Sequence, residues 1–260
     1  MTFKERIINQ SLAIRTFSIE PIRKICDNFT VRDHEAVKPF KSNITEWLKP
    51  TIDLSDFEYL YPVNGITEGL NYWMWQETRQ IKMKKDDYAW VTGKENGEVL
   101  YISMPSSVDG NYCDIPTDIP VILDIAYIGS AEMKKICVPK NVEKVFYSLS
   151  KSFGLRNYRT GYYWSRTPDV KIGPLIENGK YYNYYAQSLA EEIINQISID
   201  EVYKCLRPYQ VSICNELSVV PSDVVWLATS FDSDYNKFFR NYTNRLCIAD
   251  IIKERYRGSF

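Results

Sequence analysis

Short apolar runs alternate along the chain with turn-forming residues, and two of them are apolar enough to predict buried strands: Val121-Ile122-Leu123 and Val145-Phe146-Tyr147. Strands are also predicted at 57–63, 87–91, 99–103 and 162–165, with Gly93 to Gly97 as a polar turn joining the second of these to the third. Helical spacing is clearest in Ala186, Leu189, Ala190, Ile193, Ile194 and Ile197, which predict an amphipathic helix. Leu70, Trp73 and Met74 place an apolar stripe on a helix that starts near Thr67, directly after an Asn64-Gly65 turn. Residues 3–28 mix apolar and basic positions at loosely helical spacing, and 43–48 predicts a short helix capped by Asn43 and closed by Pro50. The Gly- and Tyr-rich stretch 171–185 predicts a loop. After Pro208 the pattern predicts a helix to about Leu217, a strand at 224–228, a helix at 235–242 and a strand at 245–249, which together suit a small α+β unit.

Composition narrows the classes. A chain of 260 residues can hold one domain or two and bury a sizeable core. A formal net charge of −1 gives no bulk attraction to nucleic acid or to an anionic membrane. The six cysteines are scattered, and with a single histidine no zinc-type cluster is spelled out, so no metal is expected. His34 lies among charges, Arg32-Asp33-His34-Glu35, and is predicted to be a solvated surface residue. As the one histidine it excludes a Ser-His-Asp or Cys-His hydrolase built within one chain. The N-terminus lacks the apolar core of a signal peptide, and no window approaches the roughly 18 apolar residues of a membrane span. These features predict a soluble, cytoplasmic protein.

Four stretches carry chemistry. The strand ending at Tyr147 leads into Ser148-Leu149-Ser150-Lys151, and eight residues after the lysine comes Arg159, then Gly161. A lysine amine forms a Schiff base with a carbonyl, and an arginine fork holds phosphate. Asn64-Gly65-Ile66-Thr67 joins a strand to a helix N-terminus, where free N–H groups and the helix dipole favour an anion. Val121-Ile122-Leu123 ends in Asp124, with Tyr127 three residues on. A carboxylate at the end of a buried strand lies at the ligand-binding edge of an open α/β sheet and needs a partner. The fourth stretch is the turn Met104-Pro105-Ser106-Ser107-Val108-Asp109-Gly110.

The run Ser-x-Ser-Lys-x-x-Gly-Leu-x-x-x-Arg-x-Gly resembles the lysine segment of the fold-type I pyridoxal-phosphate aminotransferases. The other three stretches resemble that family's phosphate loop, its asparagine turn and its Asp-x-x-Tyr, in the family's order over about residues 55–165, although this chain is unusually short. The resemblance implies a three-layer, mostly parallel α/β sheet with helices on both faces, as a cofactor-binding large domain over 55–195. It implies a small α+β domain and N-terminal arm from 1–54 and 196–260. Pyridoxal 5'-phosphate would be held on Lys151 as a Schiff base, with Asp124 at the ring nitrogen and Tyr127 at the ring oxygen. Gly65, Ile66, Thr67, Ser148, Ser150 and Arg159 would surround the phosphate. Ser107 stands where the family has an asparagine, and Asn111 is an alternative. Trp90 or Tyr88 would stack on the ring. Arg245, with Arg240 as a competitor, would clamp the substrate carboxylate. The implied activity is transamination between an amino acid and a 2-oxo acid in a homodimer. Lyase, decarboxylase or racemase chemistry, or a shortened binding protein without turnover, are the alternatives.

Overall fold

Period-two alternation gives the central sheet two apolar faces. In a computed structural model, which describes residues 2–30, 40–178 and 181–258, the sheet comprises β1 (Tyr59–Pro62), β2 (Ile81–Met83), β3 (Val99–Ser103), β4 (Val121–Asp124), β5 (Val142–Tyr147) and β6 (Tyr162–Ser165). The strand order is β1-β6-β5-β4-β3-β2. Strands β2 to β5 are mutually parallel, and β6 is antiparallel to both β5 and β1. One face presents Tyr101, Ile122, Phe146 and Tyr163 to Leu70 and Trp73 of α4 (Ile66–Gln76) and to Ile172 and Ile176 of α6 (Ile172–Glu177). The other presents Leu100, Leu123, Val145, Tyr147 and Trp164, in one cluster with Leu189 and Ile193 of α7 (Tyr184–Gln196). Burial on both faces is why these strands read as near-continuous apolar runs. The result is the mostly parallel, helix-flanked α/β sheet that the resemblance implies.

The C-terminal part builds a second, antiparallel sheet of β7 (Val220–Pro221), β8 (Leu227–Ser230), β9 (Phe239–Arg240) and β10 (Thr243–Cys247), in the order β7-β8-β10-β9. Helices α8 (Glu201–Leu217) and α9 (Ala249–Arg257) pack against each other beside it. Before the first sheet come α1 (Phe3–Asn9), α2 (Glu20–Asn28) and α3 (Ile44–Leu48), with residues 10–19 running between α1 and α2 without regular structure. Helices α2 and α3 pack on α7, and α1 packs on a 3₁₀ turn at Ser233–Phe238.

Several predicted elements differ. Residues 87–91 form turns, not a strand. The Asp87 carboxylate bends the chain by accepting from the Tyr88 N–H at 2.8 Å, the Ser103 N–H at 3.3 Å and the Ser107 hydroxyl at 2.7 Å. The strand beside β3 is instead Ile81–Met83. Within the predicted loop 171–185, Ile172 and Ile176 seat a helical turn, α6, on the sheet. Helix α8 begins before Pro208 and runs through it. Pro208 is exposed, so the carbonyl it leaves unpaired opens to water. The predicted helix at 235–242 is the 3₁₀ turn followed by β9, and the last strand stops at Cys247 because Ile248 caps α9, which the pattern did not signal. The reading of His34 lies outside the described residues.

Candidate active site

Strands β1, β3, β4 and β5 all end at one edge of the large sheet, and the segment 159–161 enters β6 there. At that edge lies a cavity of about 420 Å³, within the range of small-molecule sites. Of the predicted site residues, Gly65, Ile66, Thr67, Ser107, Asp124, Tyr127, Ser148, Ser150, Lys151, Arg159 and Arg245 line it. Trp90 does not. It is 50% exposed and donates its indole N–H to Asn71 at 2.9 Å, while Tyr88 lines the cavity.

One end of the cavity is made by close backbone contact. Gly65 caps α4 at φ 77°, and a side chain there would meet the Arg159 guanidinium at 2.9 Å. A Cβ on Gly161 would stand 2.7 Å from the Gly65 Cα. Two glycines therefore let the 64–66 and 159–161 segments touch, with the Val63 N–H donating to the Gly161 carbonyl at 3.0 Å. Arg159 donates to the Asn64 carbonyl at 2.9 Å, which holds it beside the α4 N-terminus.

Asp124 closes β4 because its carboxylate accepts the Ala126 N–H at 2.9 Å, a turn-forming contact that ends the strand. Its other oxygen accepts the Tyr101 hydroxyl at 2.7 Å. At 4% exposure, burial pushes Asp124 up to about 6, against the opposing effects of Tyr101 and the Ala126 amide. Burial also raises Tyr127 above the ordinary phenol range. Lys151 sits in the single turn α5 (Leu149–Ser152), capped by Ser148, whose hydroxyl accepts from the Ser150 N–H at 3.0 Å and donates to the Thr160 carbonyl at 2.7 Å. The Lys151 ammonium donates to the Ile14 carbonyl at 3.1 Å, and burial lowers its pKa. The Ser150 hydroxyl is buried without a partner among the described residues. The Ser107 hydroxyl is spent on Asp87, and Asn111 accepts from the Asp223 N–H at 3.0 Å outside the cavity.

Three contributions were not signalled. Leu12, Ala13, Ile14 and Thr16 form one wall, because residues 10–19 cross from α1 to α2 over the Lys151 turn. Arg156 lines the cavity within the recognised lysine segment, three residues before Arg159. Tyr101 reaches Asp124 from the neighbouring strand; its alternation with Ser103 was the only available signal.

The fold is that of the fold-type I pyridoxal-phosphate-dependent, aminotransferase-like proteins. Similar solved structures include an L-threonine-O-3-phosphate decarboxylase from Porphyromonas gingivalis at 14% identity and TM-score 0.63, over 96% of this chain and 99% of that one. A probable N-succinyldiaminopimelate aminotransferase from Thermus thermophilus matches at 13% identity and TM-score 0.62, over 99% and 98%. A PLP-bound C-S lyase from Staphylococcus hominis matches at 11% identity and TM-score 0.63, over 99% and 87%. No protein-family model matches the chain, and no curated protein matches it in sequence. No helix among the described residues is long and apolar enough to cross a membrane.

Proposed function

We propose that the protein binds pyridoxal 5'-phosphate and moves an amino group between an amino acid and a 2-oxo acid. The observation that carries this reading is the convergence of the Lys151 amine, the buried Asp124 carboxylate and the Gly65–Arg159 cradle on one cavity. The donors fit the group. A dianionic phosphate suits the α4 N-terminus, Arg159 and the unpartnered Ser150 hydroxyl. A protonated ring nitrogen suits Asp124, a nearly dry carboxylate that lacks a cationic partner among the described residues. When bound, the cofactor supplies an aldehyde that links to amines and a ring that withdraws electrons from an amino-acid α-carbon.

The chain's own residues supply binding, orientation and a proton carrier. Asp124, fixed by Tyr101 and Ala126, keeps a proton on the ring nitrogen through charge pairing. Burial lowers the Lys151 pKa, which favours the neutral amine that accepts and returns a proton at the α-carbon. The Ile14 carbonyl aims that amine. Tyr127 stands ready to donate to the ring oxygen, and Arg245 to receive a substrate carboxylate.

A yellow purified protein that bleaches on adding an amino acid is the expected result. Borohydride reduction should fix the cofactor on Lys151, read by peptide mass, and Lys151→Ala should abolish both the fixation and the half-reaction. Persistent half-transamination in that variant overturns the reading. Lyase and decarboxylase chemistry use the same groups and occur among proteins of this fold. Product analysis with an amino-acid panel separates these reactions, and colour without any product would leave a binding protein. The same resemblance supports a homodimer, for which sedimentation should give twice the chain mass.

A further inference from the structure

Two arginines of the second sheet face the same cavity. Arg240 pairs with Thr243 across the β9–β10 hairpin, and Arg245 lies two residues beyond Thr243. Directly paired residues share a face, as do residues two apart on a strand, so Arg240 and Arg245 are diagonal neighbours on one face. Both line the cavity, and each lies within the other's electrostatic reach.

Neither has a carboxylate partner among the described residues. Arg245 donates to the Ser107 and Leu12 carbonyls, and its Nε is buried without a partner among the described residues. Arg240 donates to the Asp86 carbonyl at 3.1 Å, while the Asp86 carboxylate accepts the Asn241 N–H at 2.8 Å. Carbonyls orient a guanidinium without cancelling its charge. Two like charges side by side, one at 7% exposure, repel each other; the Asp87 carboxylate offsets this for Arg245 at electrostatic range without an ion pair, and a ligand anion in contact would relieve it further. One substrate α-carboxylate neutralises one arginine. Arg156 and Arg159 belong to the Lys151 segment, where the cofactor phosphate is proposed to sit, so on the wall formed by the second sheet Arg240 remains.

We propose that the substrate is a dianionic amino acid, whose α-carboxylate meets Arg245 and whose side-chain anion, a carboxylate or a phosphate, meets Arg240. This rests on the cofactor reading above, and the test separates the two. Reconstituted protein is titrated with aspartate, glutamate, O-phosphoserine and O-phosphothreonine, and with asparagine, glutamine, serine and threonine as uncharged counterparts. Bleaching of the cofactor absorbance gives kcat/KM for each, and binding of succinate against butyrate gives a readout without turnover. Each acidic compound tried against its neutral counterpart tells carboxylate from phosphate.

A preference of at least about tenfold for one acidic set, the scale of a charge-assisted hydrogen bond, is expected. Arg240→Gln should remove that preference, and Arg240→Lys should restore part of it. Colour with equal use of acidic and neutral amino acids, or a preference that survives Arg240→Gln, overturns the proposal and leaves the cofactor reading intact. A protein that never colours overturns the cofactor reading, and the proposal with it.

Discussion

Asp124 is a carboxylate that folding places where water barely reaches it, and the consequence can be measured without any ligand. Its pKa rises from 3.8 to about 6 through burial. A raised carboxyl pKa means that the folded state holds its proton longer than the unfolded chain does. Its contribution to stability is therefore fully present below about pH 4 and is lost as pH rises through about 6. At pH 7 the buried charge costs on the order of 2–3 kcal/mol. In ligand-free protein, Asp124→Asn should melt higher than the parent at pH 7, and the two should converge at pH 4. With cofactor bound the order should reverse, because the amide cannot pair with a ring cation; spectroscopic titration should show weaker binding. An unchanged pH profile would remove the buried charge from the account. Asp124 and Lys151 were legible because each follows its own strand within one local stretch. Tyr101 and Asp87 were not, because their partners come from chain 16 to 23 residues away, brought close only by parallel pairing.

At the scale of elements, the site depends on chain segments that touch through glycine. Gly154 stands at φ 71°, and a Cβ there would meet the Phe17 carbonyl carbon at 2.2 Å. Nothing but glycine lets residues 10–19 cross this closely, where Ser18 donates to the Phe153 carbonyl at 2.9 Å and Thr16 to the Ser150 carbonyl at 3.3 Å. Gly154→Ala should lift this strap, at a cost of about 1–3 kcal/mol from strain and lost contacts. Limited proteolysis should then cut within 10–19, and the Lys151 amine, deprived of the Ile14 carbonyl, should react faster with an acylating reagent. Gly161→Ala acts elsewhere: it pushes on the Gly65 backbone and should weaken phosphate binding while leaving the strap protected. If both variants behaved alike, the two glycines would not be serving separate contacts. The strap was invisible to pattern reading because its contacts with Ser150, Lys151 and Phe153 span more than 130 residues. The turn at Asn64-Gly65 was legible because strand, glycine and helix start are consecutive.

At the scale of the whole molecule, the cavity is assembled from two sheets. Asp124 and Lys151 come from the first, Arg240 and Arg245 from the second, and the strap closes over both. The junction carries buried polar contacts, where the Val225 N–H donates to the Ser130 carbonyl at 2.8 Å and the Ser222 hydroxyl to the Asp109 carbonyl at 2.5 Å. Around them one apolar cluster runs from Leu123 and Val145 of the first sheet to Trp226, in the turn that enters β8, and Leu246 of the second sheet. Trp226 is fully buried, and its ring meets Phe17 of the strap edge-on at 5.2 Å. Its removal leaves a large void shared by both sheets and the strap. Trp226→Ala should therefore cost about 3–5 kcal/mol. The sharper expectation concerns cooperativity. In the parent, far-UV dichroism and cofactor release should report a single coincident unfolding transition, because the apolar cluster is continuous. In the variant, cofactor should leave at lower denaturant than the bulk of the helix signal, since the second sheet loses its anchor while α4 and α6 keep theirs on the other face. Coincident transitions in the variant would mean that Trp226 stabilises the whole chain evenly and is not what seats the arginines over Asp124 and Lys151.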